Sequence, residues 1–222
     1  MSSDVGPRRH DLVTLAASWE GALAAPLPPA VLARVREWAS RGRPLVAARR
    51  DPARPRAIAL GLALPPVSSP RRVAVLVAPT AIARITPPLA LRAALESGPA
   101  AWRAPLLALD TDARRLGLAM RVFGSLAWQH LSGERYLTDR SDVDLLVRPR
   151  DGGDLARALD LLRPRAADAT PRLDGEVLLP GGGIAWRELL AGAARLLMKA
   201  PAAVALEPRE RALARLAEGG RP

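Results

Sequence analysis

The stretch Arg121–Val147, RVFGSLAWQHLSGERYLTDRSDVDLLV, decides how the chain is read. Val122 and Phe123 read as a strand end, and Leu145-Leu146-Val147 read as the interior of a sheet. Between them lie a Gly124-Ser125 turn, a short amphipathic helix over Leu126–Leu131, and the run Ser141-Asp142-Val143-Asp144. Side chains alternate along a strand, so Asp142 and Asp144 point the same way. Two carboxylates that close raise the cost of each other's ionisation unless a cation lies between them. A hard, oxygen-seeking ion such as Mg2+, which keeps waters and substrate phosphates as its other ligands, fits that need. Gly124 lets the backbone approach a ligand, and the free amides at the start of the following helix attract anions. Metal-bound phosphate is the chemistry implied. The bland alternative, a loop or helix-cap pair of aspartates, fits poorly with an apolar strand that begins directly after Asp144.

Working outward, 222 residues suit one large domain or two small ones, and 49% hydrophobic residues supply a core. No apolar run reaches the roughly 18 residues of a membrane span. The N-terminus MSSDVGPRRHD lacks the apolar core of a signal peptide. There is no cysteine, hence no disulfide framework and no thiolate ligand or nucleophile. A soluble, cytoplasmic protein is expected. The formal net charge of +11 invites a nucleic-acid reading. However, the arginines are scattered in ones and twos and only 3% of residues are aromatic, so stacking platforms are scarce. An acidic protein partner or a polyphosphate ligand accounts for the charge equally well.

Upstream, residues 1–116 read as a small α+β domain. Strands are expected at Asp11–Leu15, Leu45–Ala48, Ala57–Leu62, ending at Pro65-Pro66, and Arg72–Val77, after a turn at Pro70. Helices are expected at Ala30–Ala39, Leu89–Leu95 and Pro105–Ala119. Arg9 and His10, just ahead of the first strand, either belong to a solvated arm or reach a phosphate. Residues 117–222 form the second domain. After Asp144 a helix is expected over Asp154–Leu162, then a hairpin of Arg172–Leu179 and Ile184–Glu188. A helix over Trp186–Met198 buries Leu189, Leu190, Ala193, Leu196 and Leu197, and a short final helix frays over Gly219–Pro222. Asp174 and Glu176 lie two apart on the hairpin and face the same way, as either solvated edge residues or a further carboxylate for the site. Lys199, the only lysine, either caps the helix before it or meets phosphate.

Gly-Ser followed by Asp-x-Asp resembles the nucleotidyltransferase fold of the DNA polymerase β superfamily. More closely, GSLAWQHLSG…Y…SDVDLL, together with RHDL, GRPLVAARR and DGEV followed by AWRE, resembles the malonate decarboxylase holo-acyl-carrier-protein synthases, or phosphoribosyl-dephospho-CoA transferases. That resemblance implies an α+β fold whose C-terminal, polymerase β-type domain has a mixed sheet flanked by helices. It also implies an enzyme that moves the phosphoribosyl-dephospho-CoA group from 2′-(5″-triphosphoribosyl)-3′-dephospho-CoA onto a serine of the apo acyl-carrier subunit of malonate decarboxylase, releasing pyrophosphate. Asp142 and Asp144 would hold Mg2+, Gly124, Ser125 and Arg140 would meet the phosphates, and Asp174 or Glu176 would complete the metal site or act as base. Two other readings remain: an adenylating nucleotidyltransferase with another acceptor, and a non-catalytic protein that binds a carrier or nucleic acid. The presence of Gly124, Ser125, Asp142 and Asp144 together argues against the last.

Overall fold

The structure, a computed structural model, describes residues 6–65, 72–167 and 170–219. The turns expected at Pro66 and Pro70 and the fraying expected of residues 220–222 lie outside them. The chain divides into two compact units, residues 1–88 and 89–222. The division falls ahead of the boundary expected at 116/117, because the segment from Leu91 to Ala113 buries Leu91, Leu95, Leu106 and Leu109 in the core of the second unit.

The first unit contains β1 (Leu12–Leu15), α1 (Pro29–Ser40), β2 (Leu45–Ala47), β3 (Ile58–Ala63), β4 (Arg72–Val77) and β5 (Ile82–Thr86). Its five-stranded antiparallel sheet has the order β4-β3-β2-β1-β5. The alternation that announces β4 is real: Val73, Val75 and Val77 are buried while Arg72 and Ala74 are exposed. Pro29 opens α1, where the missing N–H costs nothing. β5 carries no such signal, since Ala83, Arg84 and Ile85 are all exposed, and sequence reading misses it.

The second unit runs β6 (Leu89–Ala90), α2 (Leu91–Ala94), α3 (Ala100–Arg115), β7 (Met120–Phe123), α4 (Gly124–Ser132), β8 (Val143–Val147) and α5 (Gly152–Leu162). It continues through β9 (Leu173–Leu179), β10 (Gly182–Ala185), α6 (Trp186–Leu190), β11 (Arg195–Lys199), β12 (Val204–Pro208) and α7 (Arg209–Gly219). The seven-stranded sheet has the order β12-β11-β10-β9-β8-β7-β6, with β8 and β9 parallel and the other described pairs antiparallel. Val143, Leu145, Val147, Leu173 and Val177 face the helices and form the core with Leu106, Leu109, Leu155 and Leu162. The α+β class and the mixed, helix-flanked sheet agree with expectation.

Three expected elements differ. The first expected helix here begins as the strand β6, and α3 starts ahead of Pro105 and carries that proline within it. The helix expected over Trp186–Met198 is α6 followed by β11. Its leucine spacing suits a helical stripe, but Leu196 and Met198 are fully buried while Leu197 is 37% exposed, which is strand alternation. Lys199 therefore ends a strand and caps no helix. No helix among the described residues is long and apolar enough to cross a membrane.

One buried charge ties β8 to α5. Asp154, 1% exposed, accepts from the Arg150 guanidinium at 2.6 and 3.1 Å, from the Arg150 backbone N–H at 3.1 Å, and from Arg157. The Arg150 hydrogen bond, opposed by burial and helped by Arg157, holds its carboxyl well below the usual carboxylate range. A depressed folded-state pKa contributes stability above the unfolded value of about 4, and that contribution drains away as pH falls below it. Asp154→Asn should thus cost about 1–3 kcal/mol at pH 7, and urea titrations at pH 7 and pH 3 should show the gap from wild type shrinking at the lower pH.

Candidate active site

The site is built where β7 ends and the parallel pair β8/β9 begins. Asp144 stands opposite Phe123 of β7 on one side and in register with Asp174 of β9 on the other. Residues in register across a sheet share a face, so two half-buried carboxylates sit side by side. This is the face opposite the core, because Val143 and Leu145 take the core side.

Gly124 follows β7 directly and has φ +65. A Cβ added there would overlap the Asp144 carboxylate. Gly124 thus first makes room for Asp144, which lies against the N-terminal turn of α4, where free amides and the helix dipole favour an anion. Ser125 is the next residue of that turn. Gly124→Ala should cost about 1–2 kcal/mol in a urea melt from the left-handed backbone alone, and should also push Asp144 out of place.

Asp142 arrives differently from expectation. It precedes β8 and is carried by the loop after α4. That loop is pinned by Gln129, whose Oε1 accepts from the backbone N–H groups of Tyr136 and Leu137, each at 3.0 Å. A Thr138–Ser141 turn then closes with bonds of 2.9 and 3.0 Å. Both Asp142 oxygens accept from Arg172, at 2.6 Å from Nε and 2.8 Å from Nη2. The hydrogen bond and charge of Asp142 raise the Arg172 pKa, and the charge of Asp174 adds to the effect. Arg140 is exposed in the turn just before Asp142.

Glu176 lies two residues beyond Asp174 but is 3% exposed, and it accepts from Lys199 Nζ at 2.9 Å. Its charge is neutralised by that lysine, whereas Asp174 remains beside Asp144. Arg9 and His10 belong to the first unit. His10 is 7% exposed in a left-handed turn, its N–H donating to the Ala47 carbonyl at 2.9 Å, so it is no part of a solvated arm. Trp128 is buried against Tyr136, and His130 pairs with Ser97 at the surface.

The donors gathered here are carboxylate oxygens, the chemistry a hard divalent ion requires. Asp144 and Asp174 offer theirs together, while Arg172 engages Asp142. Among the described residues no group of three or more His, Asp or Glu side chains is arranged to hold a metal. Arg172 and Gln129 are the contributors that sequence reading misses, since nothing in local spacing marks a side chain that holds a distant part of the chain.

Comparison with known proteins follows the two units. Residues 8–88 match the family described as phosphoribosyl-dephospho-CoA transferase MdcG N-terminal domain, and residues 90–210 match its C-terminal domain. A phosphoribosyl-dephospho-CoA transferase of Bradyrhizobium diazoefficiens is 37% identical over 198 residues, 88% of each chain. One from Xanthomonas campestris pv. campestris is 37% identical over 203 residues, 90% of this chain and 94% of that one. One from Pseudomonas aeruginosa is 35% identical over 209 residues, 90% of this chain and 91% of that one. No solved structure matches. The chain belongs to the phosphoribosyl-dephospho-CoA transferase family, and with it to the transferases.

Proposed function

We propose that this protein transfers the phosphoribosyl-dephospho-CoA group from 2′-(5″-triphosphoribosyl)-3′-dephospho-CoA to a serine of the apo acyl-carrier subunit of malonate decarboxylase. The serine oxygen attacks the phosphorus nearest the ribose, the bond from that phosphorus to the bridging oxygen breaks, and pyrophosphate leaves. The observation that carries the reading is the register of Asp144 with Asp174, set against Gly124 at the start of α4, in a chain whose relatives bear the transferase name over nearly its whole length.

Asp144 and Asp174 would hold Mg2+, joined by Asp142 when Arg172 releases it. When bound, the ion would supply positive charge to the triphosphate and so favour departure of pyrophosphate. Asp174 would take the serine proton, since Glu176 is engaged by Lys199. Gly124 and Ser125 present the backbone amides of α4 to phosphate, and exposed Arg140 adds positive charge. Lys199 and Glu176 neutralise each other one step along the sheet and steady the strand that carries Asp174.

Mass spectrometry of the purified apo carrier, incubated with this protein, magnesium and the triphosphoribosyl donor, tests the reading. The expected result is a mass increase equal to one phosphoribosyl-dephospho-CoA group, dependent on the acceptor serine. AMP addition from ATP instead would establish an adenylating enzyme. Asp142→Ala should slow the transfer by about 100-fold, and near-normal transfer by that variant would overturn the assignment of Asp142.

A further inference from the structure

Arg172 is fixed through its backbone and exposed along its side chain. Its backbone carbonyl accepts from the Val143 N–H at 2.9 Å, which fixes it beside the first residue of β8. Its side chain is 63% exposed, yet the guanidinium grips both oxygens of Asp142. Those oxygens are the ones the reading above assigns to a divalent cation, so Arg172 and the cation compete for them. An ion pair this exposed is cheap to break. The planar fork that matches a carboxylate matches a phosphate equally well, so exchanging one for the other conserves both hydrogen bonds.

We propose that Arg172 is a positioning residue that alternates between two anions. It holds Asp142 in place while the site lacks polyphosphate, and it passes its two N–H donors to the triphosphate of the donor substrate when a divalent cation takes Asp142. The inference rests on the proposed active site and adds to it a polyphosphate-binding group that begins the cycle attached to a metal ligand.

The test uses the full-length protein with two probes that need no carrier: Mn2+, a hard-oxygen stand-in for Mg2+ read by the electron paramagnetic resonance of the free ion, and inorganic tripolyphosphate read by calorimetry. Arg172→Ala removes the competitor, so Mn2+ should bind about two- to fivefold more tightly. Tripolyphosphate in the presence of Mn2+ should bind roughly 10-fold more weakly or worse. In the transfer reaction the same loss should appear in KM for the donor more than in kcat. Arg172→Lys, which keeps the charge without the fork, should show the same directions with smaller size and carries the test if the alanine variant does not fold.

Unchanged or weaker Mn2+ binding, or unchanged tripolyphosphate binding, with only the melting temperature lowered, would assign Arg172 a structural role and overturn the proposal. Asp144→Asn separates this from the reading beneath it. If wild-type Mn2+ affinity is lost in Asp144→Asn but indifferent to Arg172, only the exchange is wrong. If Mn2+ affinity is indifferent to Asp144 as well, the active site and the exchange both fail.

Discussion

Asp144→Asn is expected to lower transfer to the carrier by roughly 10³-fold or more while the protein melts close to the wild-type temperature. Several kcal/mol of transition-state stabilisation come from a metal on a polyphosphate, and each ~1.4 kcal/mol is a factor of ten in rate. The substitution changes almost no volume, so the fit against Gly124 is kept. What it removes is a negative charge that is repelled by Asp174 in register with it and favoured by the amide end of α4, two effects that oppose each other. Activity should therefore fall far more than stability, a pattern that a merely structural aspartate would not give. Initial transfer rates by mass spectrometry, beside thermal melts followed by circular dichroism, measure both. Near-normal transfer would remove Asp144 from the chemistry.

Gly175→Ala should have the largest effect on folding, a loss of roughly 3–5 kcal/mol set against the 5–15 kcal/mol that typically holds a domain folded. Gly175 lies between Asp174 and Glu176 with φ +128, a conformation that side chains of L residues rarely adopt. A Cβ there would overlap the carbonyl oxygen of Leu145 and press on its nitrogen and carbonyl carbon. Those are backbone atoms inside the parallel β8/β9 pair, so no rotamer change relieves the clash and the strands must separate. The same separation would pull Asp174 away from Asp144. Gly21→Ala, at a position with open space around it and no positive φ, serves as the control and should melt close to wild type. A Gly175→Ala protein that also does so would show that the strands tolerate the shift.

The candidate site was legible in part. Asp142 and Asp144 were both marked by the Asp-x-Asp spacing, but strand alternation holds only for residues within the strand. β8 starts at Val143, so Asp142 is a loop residue whose direction is set by Arg172, 30 positions away. Asp174 and Glu176 were indistinguishable because alternation treats them alike. Register with Asp144 and the capture of Glu176 by Lys199 separate them. The segment from Trp186 to Met198 misled because leucine spacing alone fits a helix, whereas pairing with β12 draws its second half into the sheet.

By itself, then, the sequence determined the class of the fold, most of the regular elements, and the presence of a Gly-Ser turn and paired carboxylates. These follow from periodicity and turn chemistry acting over a few neighbouring residues. Only the tertiary structure decided which carboxylate stands beside Asp144, what holds Asp142, and why Gly124 and Gly175 can be nothing larger. Each of those depends on strand register and on side chains brought together from distant parts of the chain.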